Sequence, residues 1–255
     1  MDQAVAQAFV QGVKVNIQTK PRVLIVIPAH NEEKAIAAVI IKLRQIVPEF
    51  DRVIVNDGSK DNTGQVVDDL GEKQLVLPCN IGYGPALQTG LKYGLRQGYD
   101  IIVSMDADGQ HQPEDVPRLV AALLTSDADM VIGSRFCEGQ PYNTPFSRRM
   151  GQLLFSHLTR LFLDRRIYDT SSGFKVLRAK ACDVVVNGIF MDFHIETIVQ
   201  MSLVNLKLVE IPVTILERTA GQSMHSLASV FQYPLKTILL TIAVLMDAFL
   251  IRRVR

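Results

Sequence analysis

Short unbroken apolar runs alternate along the chain with longer stretches in which apolar residues recur every three to four positions. The first run is Val23-Leu24-Ile25-Val26-Ile27. A continuous, largely β-branched run is the mark of a strand buried on both faces of a parallel sheet. Similar runs predict strands at residues 51–56, 74–77, 100–105 and 129–132. Between the first two, Ile36, Val39, Ile40 and Leu43 fall at helical spacing, with Asn31 as a candidate cap and Pro48 as the stop. Residues 85–97 predict another helix, with Pro85 in its first turn, and Pro113 opens a further one. Strand–helix alternation of this kind implies right-handed crossovers. The predicted fold is α/β, a doubly wound, mostly parallel sheet with helices on both faces.

After Arg135 the rhythm changes. Residues 138–145 are loop, and residues 146–163 predict an amphipathic helix. A short strand after Lys175, a helix near residues 179–186 and a helix carrying His194 and Glu196 follow. Residues 208–213 predict a strand whose Pro212 suggests a sheet edge. Residues 218–226 are a polar loop. The chain therefore divides into a tail at 1–21, a main domain at 22–225 and an amphipathic, apolar C-terminal helix at 226–255. The densest apolar run of that helix, residues 237–246, is short for a bilayer, and Lys236 and Asp247 flank it. Three outcomes stay open: the helix lies in a membrane interface with Arg252, Arg253 and Arg255 near anionic head groups, packs on the domain or a second copy in a homo-oligomer, or spans.

The polar residues that stand out follow strand ends: Pro28 to Glu32, Asp57 to Asp61, Asn80 to Gly84, Asp106 to His111, and Arg135. In a parallel sheet these ends share one edge, where open α/β sheets bind ligands. Asp106 and Asp108 stand two apart after an apolar strand, spaced to lean the same way, and Gly109 lets the chain turn. Two neighbouring carboxylates repel unless a hard cation such as Mg²⁺ or Mn²⁺ joins them, and that cation can bridge to a diphosphate. A calcium EF-hand fails on spacing: counted from Asp106, the glycine is fourth rather than sixth and the twelfth residue is Pro117. No GxxxxGK[ST] or GxSxG is present, which excludes a P-loop and argues against a hydrolase elbow.

Composition narrows the partners. A chain of 255 residues that is 48% hydrophobic and 21% charged folds around a core. A net charge of +1 argues against a general nucleic-acid binder, so any anion site is built locally. Cys79, Cys137 and Cys182 are far apart, which fits a reducing compartment. The N-terminus lacks the pattern of a secretory signal.

IPAHNEE, NDGSKDNT, NIGYG, MDADGQHQP and GSR occur in this order. Together they resemble family 2 glycosyltransferases of GT-A fold and, within that family, the dolichyl/polyprenyl-phosphate sugar synthases. The resemblance implies an inverting transferase that uses a UDP- or GDP-sugar with Mg²⁺ or Mn²⁺. Position by position, Pro28, His30, Glu32 and Asp57 resemble the base and ribose contacts, and Asn80 and Gly84 extend the nucleotide-sugar set. Asp106, Asp108 and Gln110 resemble the metal and diphosphate residues, and Arg135 and Arg148 the arginines that hold phosphates. Arg218 resembles the arginine of a mobile loop. His30 stands where the family often has tyrosine, Asn56 at the first position of the usual DDGS, and Met224 where a lysine is frequent.

A polyprenyl-phosphate acceptor needs no protein base, because a phosphomonoester's second pKa is about 6. A hydroxyl acceptor needs one, with Asp108, Asp192 or Glu196 as candidates. The absence of QxxRW and the basic, apolar tail favour the lipid phosphate, at the cytoplasmic face of a membrane. A glycan or protein hydroxyl acceptor is the alternative, and a non-catalytic sugar-nucleotide-binding scaffold is the reading from another class.

Overall fold

The computed structural model describes residues 20–137, 156–157, 159–161, 167–188 and 193–216, with residues 239, 242, 243 and 246 of the C-terminal segment. Residues 1–19 of the expected tail at 1–21, the loop at 138–145, most of the helix at 146–163, the loop at 218–226 and most of the C-terminal helix lie outside the described residues, as do Arg148, Asp192 and Arg218.

Seven strands form one sheet: β1 (Val23–Ala29), β2 (Asp51–Asn56), β3 (Gln74–Val76), β4 (Ile101–Ser104), β5 (Met130–Ser134), β6 (Lys175–Arg178) and β7 (Leu208–Pro212). Their order is β3-β2-β1-β4-β6-β5-β7. β1 pairs in parallel with β2 and β4, and β2 with β3. β6 runs antiparallel between β4 and β5, while β7 pairs in parallel with β5 at the edge that Pro212 suggested. The antiparallel insertion of β6 was not part of the sequence expectation. An apolar run encodes burial and not direction, so β6 is visible as a strand but not as a reversed one.

The helices are α1 (Ile36–Ile46), α2 (Thr63–Asp69), α3 (Tyr83–Arg96), α4 (Asp115–Thr125), α5 (Ala179–Asn187) and α6 (Ile195–Leu203), with a 3₁₀ turn at Thr159–Leu161. Alternate residues of β1 face opposite ways and both sets are buried. Ile25 and Ile27 join Ile36, Ile40 and Leu43 of α1 and Val116, Leu119 and Leu123 of α4 in one core. Leu24 and Val26 join Leu87 and Leu91 of α3, Val185 of α5 and Ile198 of α6 in the other. Each fully buried aliphatic side chain contributes about 1.5–3 kcal/mol. Covering both faces keeps the strand ends in place, and those ends carry the polar residues.

One local expectation is corrected. Asn31 does not cap α1, whose N-cap is Ala35 with no side-chain capping bond. Asn31 sits at φ 56°, and its Oδ1 accepts the Lys60 N–H at 2.8 Å. The Glu32 carbonyl accepts the N–H groups of Ala35 and Ile36, so a tight turn delays the helix by one turn. A tertiary partner on the β2 loop has taken the side chain that the sequence offered as a cap.

Candidate functional site

The C-terminal ends of β1, β2 and β4, with the segment after β3, enclose a cleft of about 420 Å³. Pro28, His30, Glu32, Asp57, Asn80, Asp106 and Asp108 all line it, as do Asn31, Gly82 and Tyr83. Seven residues singled out from sequence thus meet at one place. Gly84 is buried in the first turn of α3 and is not among the lining residues.

On the β1–β2 side the polar groups are fixed by a chain of bonds. Because Asn31 Oδ1 takes the Lys60 N–H, its Nδ2 is the atom 3.0 Å from His30 Nε2. An amide nitrogen only donates, so Nε2 presents its lone pair. His30 Nδ1 then carries the proton and donates to the Asp57 carbonyl at 2.7 Å. The Asp57 carboxylate, 3% exposed, accepts the Ile81 N–H on Oδ1 at 2.8 Å and the Gly82 N–H on Oδ2 at 3.0 Å. Asp57 therefore fastens the 80–82 loop with both oxygens, a role that its reading as a base or ribose contact does not include. The Glu32 N–H donates to Thr63 Oγ1 at 2.8 Å, which ties the β1 loop to the start of α2.

On the β4 side the strand ends at Ser104, and both carboxylates sit in the turn beyond it. It is this turn, with Gly109 at φ 76°, and not strand alternation that brings Asp106 and Asp108 into one cleft. Tyr83 donates its hydroxyl to Asp106 Oδ1 at 2.9 Å. Burial, and after it the Asp106 carboxylate, holds that phenol well above its usual range, so it is a donor at neutral pH. The Asp106 N–H donates to His111 Nδ1 at 3.1 Å, and His111 stacks on Phe174 with ring centres 4.9 Å apart. Asp108 is 5% exposed and accepts the Gln110 N–H at 3.0 Å. The Gln110 side chain donates to the Leu216 carbonyl at 3.2 Å and is not among the cleft-lining residues. His111 bridges to Ile215, so the acidic turn is sewn to the segment that follows β7.

The described residues contain no group of three or more His, Cys, Asp or Glu side chains gathered as a ready-made metal site. Two carboxylates on an open cleft nevertheless fit Mg²⁺ or Mn²⁺. Mg²⁺ in particular keeps several waters and is usually held by one or two carboxylates plus substrate phosphates.

Arg135 follows β5 on the same sheet edge, outside the cleft lining. Its Nε and Nη2 bond the two oxygens of Asp169 at 2.7 and 2.8 Å, and Nη2 also bonds Ser171 Oγ at 2.8 Å. Asp169 is fully buried. Burial raises its pKa, but the Arg135 guanidinium and its hydrogen bonds outweigh that and hold it below the ordinary value. Behind it, Glu210 of β7 accepts the N–H groups of Tyr168 and Asp169 at 2.8 Å each, and burial pushes that carboxyl up.

Sequence reasoning missed Tyr83, His111, Asp169 and Lys175. Tyr83 and His111 lie inside the stretches NIGYG and MDADGQHQP without being given a role, and Lys175 carries a signal of its own, a cation inside the apolar run Phe174-Lys175-Val176-Leu177. It is fully buried, and Nζ donates to the carbonyls of Ser172 and Phe193. Burial pulls its pKa down to about 8, against the Glu196, Asp169 and Asp106 carboxylates. Glu196, also buried, accepts the His194 N–H at 3.0 Å and does not line the cleft.

Residues 24–186 match the family described as Glycosyl transferase family 2. The chain is 36% identical over 215 residues to the undecaprenyl-phosphate mannosyltransferase of Micrococcus luteus, covering 80% of this chain and 88% of that protein. It is 30% identical over 221 residues to the polyprenol monophosphomannose synthase of Mycolicibacterium smegmatis, covering 82% and 83%. In fold it is similar to the crystal structure of glucosyl-3-phosphoglycerate synthase from Mycobacterium tuberculosis with Mn²⁺, uridine diphosphate and glucosyl-3-phosphoglycerate. The TM-score is 0.62 at 20% identity, over 89% of this chain and 80% of that one.

Proposed function

The chain belongs to glycosyl transferase family 2, and from that premise we propose that it moves a sugar from a UDP- or GDP-sugar to a polyprenyl phosphate. The observation that carries this is the cleft itself: the nucleotide-side residues Pro28, His30, Glu32, Asp57 and Asn80 face the same space as Asp106 and Asp108. The acceptor class is supported by relatives whose names specify undecaprenyl phosphate and polyprenol monophosphomannose.

In this reading the donor's nucleoside lies against the β1 and β2 loops and its diphosphate points to Asp106 and Asp108. Those two carboxylates would hold Mg²⁺ or Mn²⁺, which supplies charge neutralisation for the departing nucleoside diphosphate. The acceptor phosphate oxygen is already ionised near neutral pH, so it attacks the anomeric carbon in line, with inversion, and no side chain has to remove a proton. Arg135 is held by Asp169 at the same sheet edge, and its assignment to phosphate comes from the resemblance. Arg148, with Arg135, is assigned to the acceptor and donor phosphates, and Arg218 to the loop arginine of the family, all from the resemblance. Residues 22–225 form the catalytic domain in this proposal, and residues 226–255 hold it to the cytoplasmic face of the membrane. Among the described residues no helix is long and apolar enough to cross a membrane.

The test is to incubate the protein with Mn²⁺, radiolabelled UDP- or GDP-sugars and undecaprenyl phosphate. Label passing into the organic phase, and lost in Asp108→Asn, supports the proposal. Label appearing only in water-soluble glycan replaces the acceptor. Nucleotide binding with no transfer to any acceptor favours the scaffold reading, and near-normal turnover of Asp108→Asn overturns the cation role.

A further inference from the structure

Tyr83 belongs to both halves of the cleft. It directly follows the loop whose Ile81 and Gly82 N–H groups are gripped by the Asp57 carboxylate. It is also the first residue of α3, and its hydroxyl reaches across 23 positions of sequence to Asp106 Oδ1 at 2.9 Å. His111 holds the backbone of the same aspartate from the other side.

Gly173 closes the pair from behind. A Cβ placed there would lie 2.7 Å from the Tyr83 hydroxyl and 3.0 and 3.1 Å from the two Asp106 oxygens. The backbone at Gly173 is itself fixed, since its carbonyl accepts the Ser104 hydroxyl at 2.6 Å. Tyrosine and aspartate are therefore in close contact, packed against backbone that is itself hydrogen-bonded. Phenylalanine at position 83 would fill nearly the same volume, so packing alone does not call for the hydroxyl. Its effect is to fix the plane of the Asp106 carboxylate relative to the 80–82 loop.

We propose that Tyr83 is a positioning residue that couples the two sides of the donor site: a nucleoside diphosphate seated against the 80–82 loop and a divalent cation held at Asp106 strengthen each other through it. The proposal rests on the donor-site reading given above. Coupling between two ligands is reciprocal, so the factor by which UDP tightens Mn²⁺ equals the factor by which Mn²⁺ tightens UDP. Part of that factor is the direct attraction of the diphosphate for the cation, and the remainder depends on how firmly Asp106 is held.

The experiment is calorimetric titration of the full chain with MnCl₂, with UDP and with each in the presence of the other, repeated with GDP. It is run on the wild type, Tyr83→Phe and Gly173→Ala, with circular dichroism to verify folding. In Tyr83→Phe the metal-free UDP or GDP affinity is expected to stay within about twofold of wild type, while the coupling factor falls by about tenfold. Gly173→Ala, which presses on the same pair from the opposite side, is expected to lower the factor as well. A wild-type coupling factor in Tyr83→Phe overturns the proposal whatever Gly173→Ala does. So does a loss of metal-free nucleotide affinity as large as the loss of coupling, which would make Tyr83 only a support for the loop. If the wild-type chain binds neither UDP nor GDP with Mn²⁺ present, the donor-site reading fails first and this proposal with it.

Discussion

Arg135 and Asp169 form a two-bond guanidinium–carboxylate pair where β5 ends, with Nε and Nη2 on separate carboxylate oxygens at 2.7 and 2.8 Å. The Arg135 N–H adds a third bond to Asp169 Oδ2 at 3.0 Å. Removing one partner of a buried pair strands the other, which costs about 3–5 kcal/mol. Asp169→Asn should therefore destabilise the fold by that amount in urea titrations at pH 7. Asp169 titrates below its ordinary value of 3.8 in the folded chain. Its stabilisation is thus complete above that value and is lost as pH falls through the lower folded value. The gap between wild type and Asp169→Asn should stay constant from pH 7 to 5 and narrow below pH 4. Glu210, whose carboxyl is raised by burial and in part by the Asp169 charge, has the opposite sign and shifts with the substitution, so the comparison is made with Glu210→Gln in both proteins.

Asp57 holds the 80–82 loop with both carboxylate oxygens. An amide in its place accepts with one atom only and turns an NH₂ toward the other backbone N–H. A buried donor left unmatched costs about 1–3 kcal/mol. Because that energy fixes a loop on the cleft wall, Asp57→Asn should reduce UDP or GDP affinity roughly tenfold or more, with far-ultraviolet dichroism unchanged. Calorimetry checks it, and wild-type affinity would show that the loop does not contact the nucleotide.

The contacts behind these two predictions show where the sequence was legible. β1, β2 and β4 were visible because strands covered on both faces must be apolar throughout, and the cleft residues were visible because they are the polar residues that directly follow such strands. The partner relations were not visible. Tyr83 and Asp106 are 23 positions apart, Arg135 and Asp169 34, and no local pattern joins them. Asp57 was legible as a cleft residue, but a carboxylate after a strand offers no sign of which N–H groups it will also meet. The reversal of β6 escaped for the related reason that pairing direction is settled by the strands on either side.

Lys175 is a buried ammonium whose donors go to the Ser172 and Phe193 carbonyls, with Nζ 4.2 Å from the Phe193 ring centre. Lys175→Met should cost about 3–5 kcal/mol at pH 7, since it strips two buried carbonyls and removes the cation near Glu196 and Asp169. The pH dependence has a definite sign. The folded value of about 8 lies below the ordinary 10.5, so between them the unfolded chain binds more protons and stability rises with pH. The margin of wild type over Lys175→Met should widen by up to about 3 kcal/mol from pH 8 to 10.5. Guanidinium titrations at pH 7.5 and 10 measure it, and a margin that shrinks would place the titration elsewhere.

Gly58 and Gly71 both have positive φ, 59° and 67°, yet their surroundings differ. A Cβ at Gly71 meets nothing within 4 Å, whereas one at Gly58 would lie 2.4 Å from the Cys79 carbonyl carbon and 2.6 Å from the Asn80 nitrogen. Gly71→Ala therefore carries only the backbone penalty of about 1–2 kcal/mol. Gly58→Ala carries that penalty and also drives the backbone of residues 79 and 80 away. Those residues lead into the loop that Asp57 grips, so the strain has no soft side chain to absorb it, and the loss should be about 4 kcal/mol or more. The displaced loop also predicts weaker nucleotide binding in Gly58→Ala and none of that weakening in Gly71→Ala. Denaturant midpoints and UDP titrations of the two variants side by side decide it: equal destabilisation with equal binding would mean that the contact between the β2 turn and residues 79–80 does not position the cleft.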